Sequence, residues 1–228
     1  MLKPKRKISR KEIQRDPFLE SIFSIKTHLT DKKQFYTRIV LGVLSVIVLG
    51  SLYLRSQGAN RDMAEYTISK AMVFIDLNDE DNAMIHLQAV IDEFESTGAG
   101  RNASFYLGRI YLDKGEFDLA LPYFERYVVK GRNPLLMGSA YQAMVNIYLS
   151  KHDLSNAIKY QKISIKHSNS KVEKAWASLN LANLSIAGGD KSTASELVNR
   201  IIIDFKNNND LQQRADELSG KISSMKQS

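Results

Sequence analysis

Apolar residues recur at intervals of three and four positions through most of the chain, and strictly alternating runs are rare. This spacing places the apolar side chains on one face of an α-helix, whereas a half-buried strand would alternate. One stretch differs, because residues 39–54 carry no charge and eleven of these sixteen residues are Ile, Val or Leu. The pattern predicts an all-α protein in which one helix is apolar on every side.

The apolar stretch is long enough to cross a lipid bilayer. Extended back to Phe35 it forms a run of twenty residues, and about 20 residues of helix span a hydrocarbon core about 30 Å thick. Its aliphatic residues supply roughly −3 to −7 kcal/mol of insertion free energy, and Arg38 stands near one end, where its guanidinium can reach the headgroups. A buried helix of a soluble protein is the alternative, but such a helix normally carries a polar face. We predict a transmembrane signal anchor at residues 35–55.

The positive charge of the chain is concentrated before this helix. The net charge is +7, and residues 1–38, with eleven Lys or Arg and four acids, hold all of it. Because Lys and Arg are enriched on the cytoplasmic side of membrane helices, we expect the tail of residues 1–34 to be cytoplasmic. The rest of the chain then lies on the far side of the membrane, which in a bacterium is the periplasm. A groove for nucleic acid is not favoured, because residues 39–228 have no net charge.

The tail is predicted to contain an amphipathic helix that begins at Asp16 and Pro17, since proline is favoured in the first turn of a helix. Its apolar residues recur at helical spacing and its flanks are basic, which is typical of helices that lie on a lipid surface. The residues predicted to contact the membrane surface are Lys5, Arg6, Lys7, Phe18, Ile22 and Ile25.

An internal repeat of 37 residues is marked by four alanines: Ala83, Ala120, Ala157 and Ala194. Other columns keep the same interval, including an acid four positions before each alanine and an aromatic residue nine positions before the first three. These columns predict helix-turn-helix repeats, since small residues in both helices let two backbones approach closely. The residues predicted to pack the repeats are Ala83, Gly108, Tyr111, Ala120, Phe124, Tyr148, Ala157, Ala182 and Ala194.

The second repeat resembles the tetratricopeptide repeat family. The resemblance is carried by Leu107, Gly108, Tyr111, Gly115, Ala120 and Phe124. It implies a solenoid of about four helix-turn-helix units within residues 60–206, at approximately 64–97, 101–134, 138–171 and 175–206. The period exceeds the family's 34 residues, so we expect longer turns between repeats. Residues 208–225 carry an apolar stripe at helical spacing and are predicted to form a C-terminal capping helix.

The resemblance also implies a concave groove lined by the first helices of the repeats. Its expected partner-binding residues are Asn102, Phe105, Arg109, Gln142, Asn146, Trp176, Leu179 and Asn183. Apolar side chains beside Asn and Arg suit an extended peptide, whose backbone amides the Asn side chains can hydrogen-bond. For the neighbouring row of Leu112, Leu149 and Ile186, packing between repeats is the alternative.

The sequence offers no arrangement expected of an enzyme, a metal centre or a cofactor site. It has no cysteine, and its four histidines share no spacing typical of metal ligands. Gly-rich phosphate loops and nucleophile motifs are absent, and the paired acids lie at predicted helix ends, where capping explains them. We predict a non-catalytic protein that binds neither cofactor nor metal and acts through its surface.

A basic tail, one signal anchor and a short exported repeat array together resemble the YfgM-like family of bacterial inner-membrane proteins. The resemblance implies a scaffold that associates with the Sec translocon and periplasmic chaperones. Two alternatives stay open: a structural subunit of an envelope complex for division, secretion or motility, and a repeat array that associates with itself. The expected partners are proteins or extended peptides, together with the membrane through one helix, and not nucleic acid.

Overall fold

A computed structural model of the protein describes residues 17–225, with side chains from residue 21 onward. Within that range the chain forms ten α-helices and no strand, so the predicted all-α fold is confirmed. In chain order the helices are α1 (Pro17–Asp31), α2 (Lys33–Asp76), α3 (Glu80–Phe94), α4 (Gly98–Asp113), α5 (Phe117–Lys130), α6 (Pro134–Ser150), α7 (Leu154–Lys166), α8 (Lys171–Ala187), α9 (Lys191–Asp204) and α10 (Asn209–Ser224).

The chain divides into two compact units, Met1–Gly58 and Ala59–Ser228. In the described part of the first unit, the side chains are almost all exposed, including the Ile, Val and Leu residues of α2. Among the described residues, α2 is the helix whose length and composition suffice to cross a membrane.

The second unit is built from helix pairs that share one type of turn. In each pair the first helix is followed by a residue with left-handed backbone, with φ of 58° at Asn78, 75° at Gly115, 58° at His152 and 79° at Gly189. The N–H of the next residue donates to the carbonyl five positions back, at 2.8 to 2.9 Å in all four turns. This is a Schellman motif, which satisfies carbonyls that the end of a helix leaves unpaired.

Acidic residues cap the second helix of three pairs. The carboxylates of Asp79, Asp153 and Asp190 accept the backbone N–H three residues on, at 3.3, 3.0 and 2.9 Å. Hydrogen bonds from Asn156 lower the pKa of Asp153, and those from Thr193 lower the pKa of Asp190, because they favour the ionised carboxylate. These carboxylates therefore satisfy backbone donors at the helix starts.

Small residues let the helices of each pair approach closely. Five alanines of the predicted packing set are completely buried: Ala83, Ala120, Ala157, Ala182 and Ala194. A Cβ added at Gly108 would lie 3.2 Å from the Cβ of Tyr123 and 3.3 Å from the ring of Phe124. Glycine at this position therefore allows α4 and α5 to pack without an intervening side chain.

Aromatic rings fill the core between α4 and α5. Phe124 and Tyr127 of α5 are completely buried. Their ring centroids lie 5.8 and 5.5 Å from that of Phe105 on α4. The hydroxyl of Tyr127 donates to the carbonyl of Asn133 at 3.2 Å, so its polar end is satisfied despite its burial.

In two of the repeats, a stacked pair of tyrosines connects the first helix to the second, α4 to α5 and α6 to α7. The rings of Tyr111 and Tyr123 are 5.7 Å apart, and those of Tyr148 and Tyr160 are 5.3 Å apart. Burial raises the pKa of Tyr123 and of Tyr148, since it disfavours the charged phenolate. Tyr111 and Tyr148, both predicted to pack the repeats, are half-buried in these stacks.

The last repeat has an aliphatic core that α10 covers. Leu211, Ala215, Leu218 and Ile222 form the buried stripe of α10. They belong to the same cluster as residues of α8 and α9 such as Val198. The C-terminal helix therefore closes this end of the array with a polar outer surface.

Gln161 is a polar residue inside the core, in the column that holds Leu87 and Phe124 in earlier repeats. Its Nε2 donates to the backbone carbonyl of Ala177 at 2.8 Å. This bond ties α7 to α8, so the polar side chain links the third repeat to the fourth.

Candidate functional site

A groove of about 370 Å³ runs along the first helices of three repeats, α4, α6 and α8. Small residues such as Gly138 and Ala143 form its floor. The polar and aromatic side chains that line it are Arg109, Asp113, Ser139, Gln142, Asn146, Ser164, Ser168, Glu173, Trp176 and Asn180.

The middle of the groove is formed by one face of α6. Ser139, Gln142 and Asn146 follow one another at intervals of three and four, so they share a face of the helix. Ala140 and Ile147 are buried in the core on the other side. The Nε2 of Gln142 donates to the Oδ1 of Asn146 at 3.4 Å. The pair presents amide donors and acceptors that match the backbone of a bound peptide.

An ion pair stands at the α4 side of the groove. The Nη2 of Arg109 lies 3.6 Å from the Oδ2 of Asp113, one turn later on the same helix. Both side chains are about half exposed, so water screens the pair and it contributes little to stability. A carboxylate on a partner can therefore compete with Asp113 for the guanidinium.

Trp176 of α8 borders the groove on the other side. It is the single tryptophan of the chain, and 38% of it is exposed. Asn180 follows one turn later and lines the same groove. A large exposed aromatic side chain beside amides is typical of positions that dominate binding energy at protein interfaces.

The structure brings four of the eight predicted groove residues together, namely Arg109, Gln142, Asn146 and Trp176. Phe105 and Leu179 are buried, which corrects the prediction that they line the groove. Phe105 packs on the aromatic rings of α5 and Leu179 lies in the aliphatic core of the last repeat, because both face the second helices.

Asn102 and Asn183 are half-buried and lie outside the groove lining. The Oδ1 of Asn183 faces the capping helix, where the Nζ of Lys221 lies 3.5 Å away. Asp113 and Asn180 are among the lining residues that were not predicted. Each stands four positions after a predicted residue, so the helical interval is the signal that could have found them.

A larger, open pocket of about 750 Å³ lies where α3 and α5 end, and it is lined by charged residues. One of its carboxylates, that of Glu95, is paired with cations. The Oε1 of Glu95 accepts a hydrogen bond from Lys130 and lies 3.0 Å from the Nη2 of Arg126. The bond from Lys130 and the charge of Arg126 lower the pKa of Glu95. The residues that line this pocket include no aromatic or amide side chain, unlike those of the groove.

The predicted membrane-surface residues fall partly outside the described chain. Ile22 and Ile25 are exposed on α1, beside the equally exposed Phe23 and Leu29. The positions of Lys5, Arg6 and Lys7 and the side chain of Phe18 lie outside the described residues. Within residues 17–225, no group of three His, Asp or Glu side chains is arranged to hold a metal ion.

Residues 104–128 match the family model of the tetratricopeptide repeat. The chain contains a tetratricopeptide repeat. Two solved structures extend the similarity of fold beyond this repeat, to 72% of the chain. One is a Podosopora anserina chain described as a putative kinesin light chain with nearly identical TPR-like repeats. It is 14% identical, with 72% of this chain and 95% of that chain covered and a TM-score of 0.51. A singly substituted form of that Podosopora anserina chain has the same identity and coverage and a TM-score of 0.50.

A third structure, a MamA RS-1 ArsTM double mutant, is 18% identical over 71% of this chain and 78% of that chain, with a TM-score of 0.49. No curated protein matches the sequence. The tetratricopeptide fold is that of a scaffold for interactions between proteins.

Proposed function

We propose that this protein is a non-catalytic, single-pass membrane scaffold whose tetratricopeptide array binds protein partners on the periplasmic side of a bacterial inner membrane. The groove is the observation that carries the proposal. Arg109, Gln142, Asn146 and Trp176 come from three successive repeats and meet on one surface. Partner-binding groups from several helices on one continuous surface suit a ligand that lies across the repeats.

The chemistry of the groove favours an extended peptide. The amide groups of Gln142, Asn146 and Asn180 can bond to successive backbone groups, while Trp176 supplies a flat apolar surface. Arg109 adds a cation that can select an acidic residue in the peptide. A folded partner with an exposed loop of this kind would satisfy the same groups.

Membrane anchoring is supported by α2 and by the charge of the tail. α2 contains a long apolar segment whose side chains are exposed, and exposed aliphatic side chains are stable when lipid covers them. The seven net positive charges before this segment favour a cytoplasmic N-terminus. The array would then work outside the cytoplasm.

Proteins that emerge from the Sec translocon, and the chaperones that receive them, are the partners we propose. This assignment depends on the resemblance to the YfgM-like family. A fixed subunit of an envelope complex is the second candidate, because the groove would also fit one constant loop.

Photocrosslinking in living cells tests the groove. A photoreactive amino acid at Asn146 should capture translocon components and several exported proteins, whereas the same group at the exposed Glu125 of α5 should not. Capture of one constant protein at Asn146 would instead identify an envelope subunit. Equal capture at both positions would contradict the groove.

A double substitution in the groove, compared with an equivalent one outside it, tests whether the groove residues bind the partner. Arg109→Glu with Asn146→Ala should remove the specific crosslinks of a probe at Trp176, because it reverses the charge and deletes an amide. Lys159→Glu with Asn199→Ala makes the same chemical changes at exposed positions outside the groove. This control should leave the crosslinks of the Trp176 probe intact.

Thiol labelling tests the topology separately. The chain has no cysteine, so Glu125→Cys gives one reactive site in the array. A membrane-impermeant maleimide should label it in intact spheroplasts. Labelling only after the membrane is broken would place the array in the cytoplasm and exclude the proposed partners.

A further inference from the structure

The first helix of the array has two apolar faces, and the array covers one of them. Ala64, Ile68 and Ala71 of α2 are buried in the core with residues of α3 and α4. A second set of residues on α2 and its last turn points away from that core; we call it the outer stripe. It consists of Ala59, Met63, Tyr66, Lys70, Val73 and Leu77.

Nothing in the described chain covers the outer stripe. Its large apolar members, Met63, Tyr66, Val73 and Leu77, are between 54% and 69% exposed. The opposite end of the array differs, since α10 buries its apolar stripe against the last repeat. Repeat arrays need a polar surface at each end to remain soluble, so the outer stripe is expected to have a partner.

The spacing of the outer stripe identifies the kind of partner. Its members are separated by four, three, four, three and four residues, which is the alternation of the a and d positions in a coiled coil. Met63, Lys70 and Leu77 are then a positions, and Ala59, Tyr66 and Val73 are d positions. A seam with this spacing is complementary to another helix that carries the same seam.

We propose that the outer stripe is the interface between two parallel copies of this chain. Lys70 is its one charged member, and a single lysine or asparagine at an a position fixes the register and favours a defined number of strands. The Nζ of Lys70 lies 4.8 Å from the centroid of the Tyr66 ring. The ammonium group can therefore remain over an aromatic face while the layers of Met63 and Val73 close on either side.

The parallel direction rests on the membrane anchoring proposed above. In both copies the apolar segment of residues 35–54 comes shortly before the stripe, so both chains enter the stripe from the same face of the membrane. Confinement to one membrane also raises the effective concentration of each stripe for the other. The pairing itself does not depend on what the groove binds.

Disulfide trapping in membranes tests the interface on the full chain. Because the chain has no cysteine, Met63→Cys and Val73→Cys each introduce a single thiol into the stripe. Mild oxidation should convert most of either variant to a dimer. Glu65→Cys, equally exposed on α2 but outside the stripe, should stay monomeric. Equal trapping at Glu65, no trapping in the stripe, or a disulfide to a different protein would overturn the proposal.

Membranes that contain both cysteine variants test whether the two helices pair in parallel. When differently tagged Met63→Cys and Val73→Cys chains share a membrane, a parallel pair in register should form disulfides between like chains. Preferential formation of the mixed disulfide would show an antiparallel pair and overturn the parallel interface. This result is independent of the groove crosslinks and of the labelling at Glu125.

Substitutions within the stripe give the energetic test. Lys70→Leu should strengthen association by about tenfold, since a lysine at an a position lowers stability. Met63→Asp with Val73→Asp should abolish the dimer. Both residues are exposed in the monomer, so thermal unfolding of the array should change little. Dimers that survive the double substitution would contradict the interface.

Discussion

The apolar segment of α2 and the tetratricopeptide array use the same aliphatic residues in opposite ways. In the array, leucines such as Leu87, Leu107 and Leu218 are buried by neighbouring helices. In the apolar segment, leucines such as Leu44 and Leu49 have no protein neighbours that cover them. The difference comes from the small residues that accompany the leucines of the array. Alanine and glycine columns let the array's helices meet. In the membrane anchoring proposed above, lipid would cover the apolar segment instead.

Truncation of one leucine in each region should show the largest contrast. Leu107 is 1% exposed, and Leu107→Ala should lower the free energy of unfolding of the array by about 2–5 kcal/mol, because it leaves a cavity in a packed core. Leu44→Ala should leave the unfolding of the array unchanged, because lipid or detergent fills the space. Denaturant titration of the solubilised full chain measures both. Similar losses would contradict the distinction.

A charge introduced into each region should have the reverse effect: it should disturb the apolar segment and leave the array unchanged. Leu44→Arg places a guanidinium near the middle of residues 35–54 and should weaken membrane insertion by about 3 kcal/mol. Val129→Arg, at one of the most exposed apolar positions of the array, should affect neither insertion nor unfolding. Carbonate extraction should release more of Leu44→Arg than of Val129→Arg. Equal release of the two variants would contradict the distinction, and release of the unchanged chain would argue against a transmembrane segment.

A smaller effect is expected at the turns, which occur in the array and not in the apolar segment. His152 holds a left-handed backbone with φ of 58°, which glycine adopts with less strain. His152→Gly should therefore stabilise the array by about 0.5–1 kcal/mol. Gly115→Ala, at the equivalent turn, should destabilise it. The melting temperature of each variant measures the change, and a loss of stability in His152→Gly would contradict the turn geometry.

The smallest effect concerns pH and one helix cap. The pKa of Asp153 is lowered in the folded array, so its contribution to stability is present above the ordinary pKa and is lost as the pH falls through the folded value, below about pH 4. Asp153→Asn keeps an N-cap side chain but does not titrate there. Its melting temperature should fall less between pH 6 and pH 3 than that of the unchanged chain, and an equal fall would exclude Asp153 as a contributor.

Repeat columns made the turns and the core of the array predictable. Asn78, Gly115, His152 and Gly189 follow one another at the interval of 37 residues, and all four have a left-handed backbone. Ala83, Ala120, Ala157 and Ala194 keep the same interval and are all buried. These features are local or depend on contacts within one repeat, so a single sequence contains enough information to place them.

The groove was less predictable, because it depends on the rotation of each first helix. Phe105 and Gln142 occupy the same column, yet Phe105 is buried against α5 while Gln142 lines the groove. The large ring fills space beside Phe124 and Tyr127, whereas an amide is more stable where it can reach water. A column therefore fixes the position of a residue along the helix but not the environment of its side chain.

The four left-handed turns divide the array into units of equal length. Because they share one hydrogen-bond pattern, a gene that loses or duplicates 37 codons between two of them would still join a first helix to a second helix through the same kind of turn. Lineages could therefore lengthen or shorten the array by recombination at these points. Each added unit would add one first helix to the side of the array on which the groove lies.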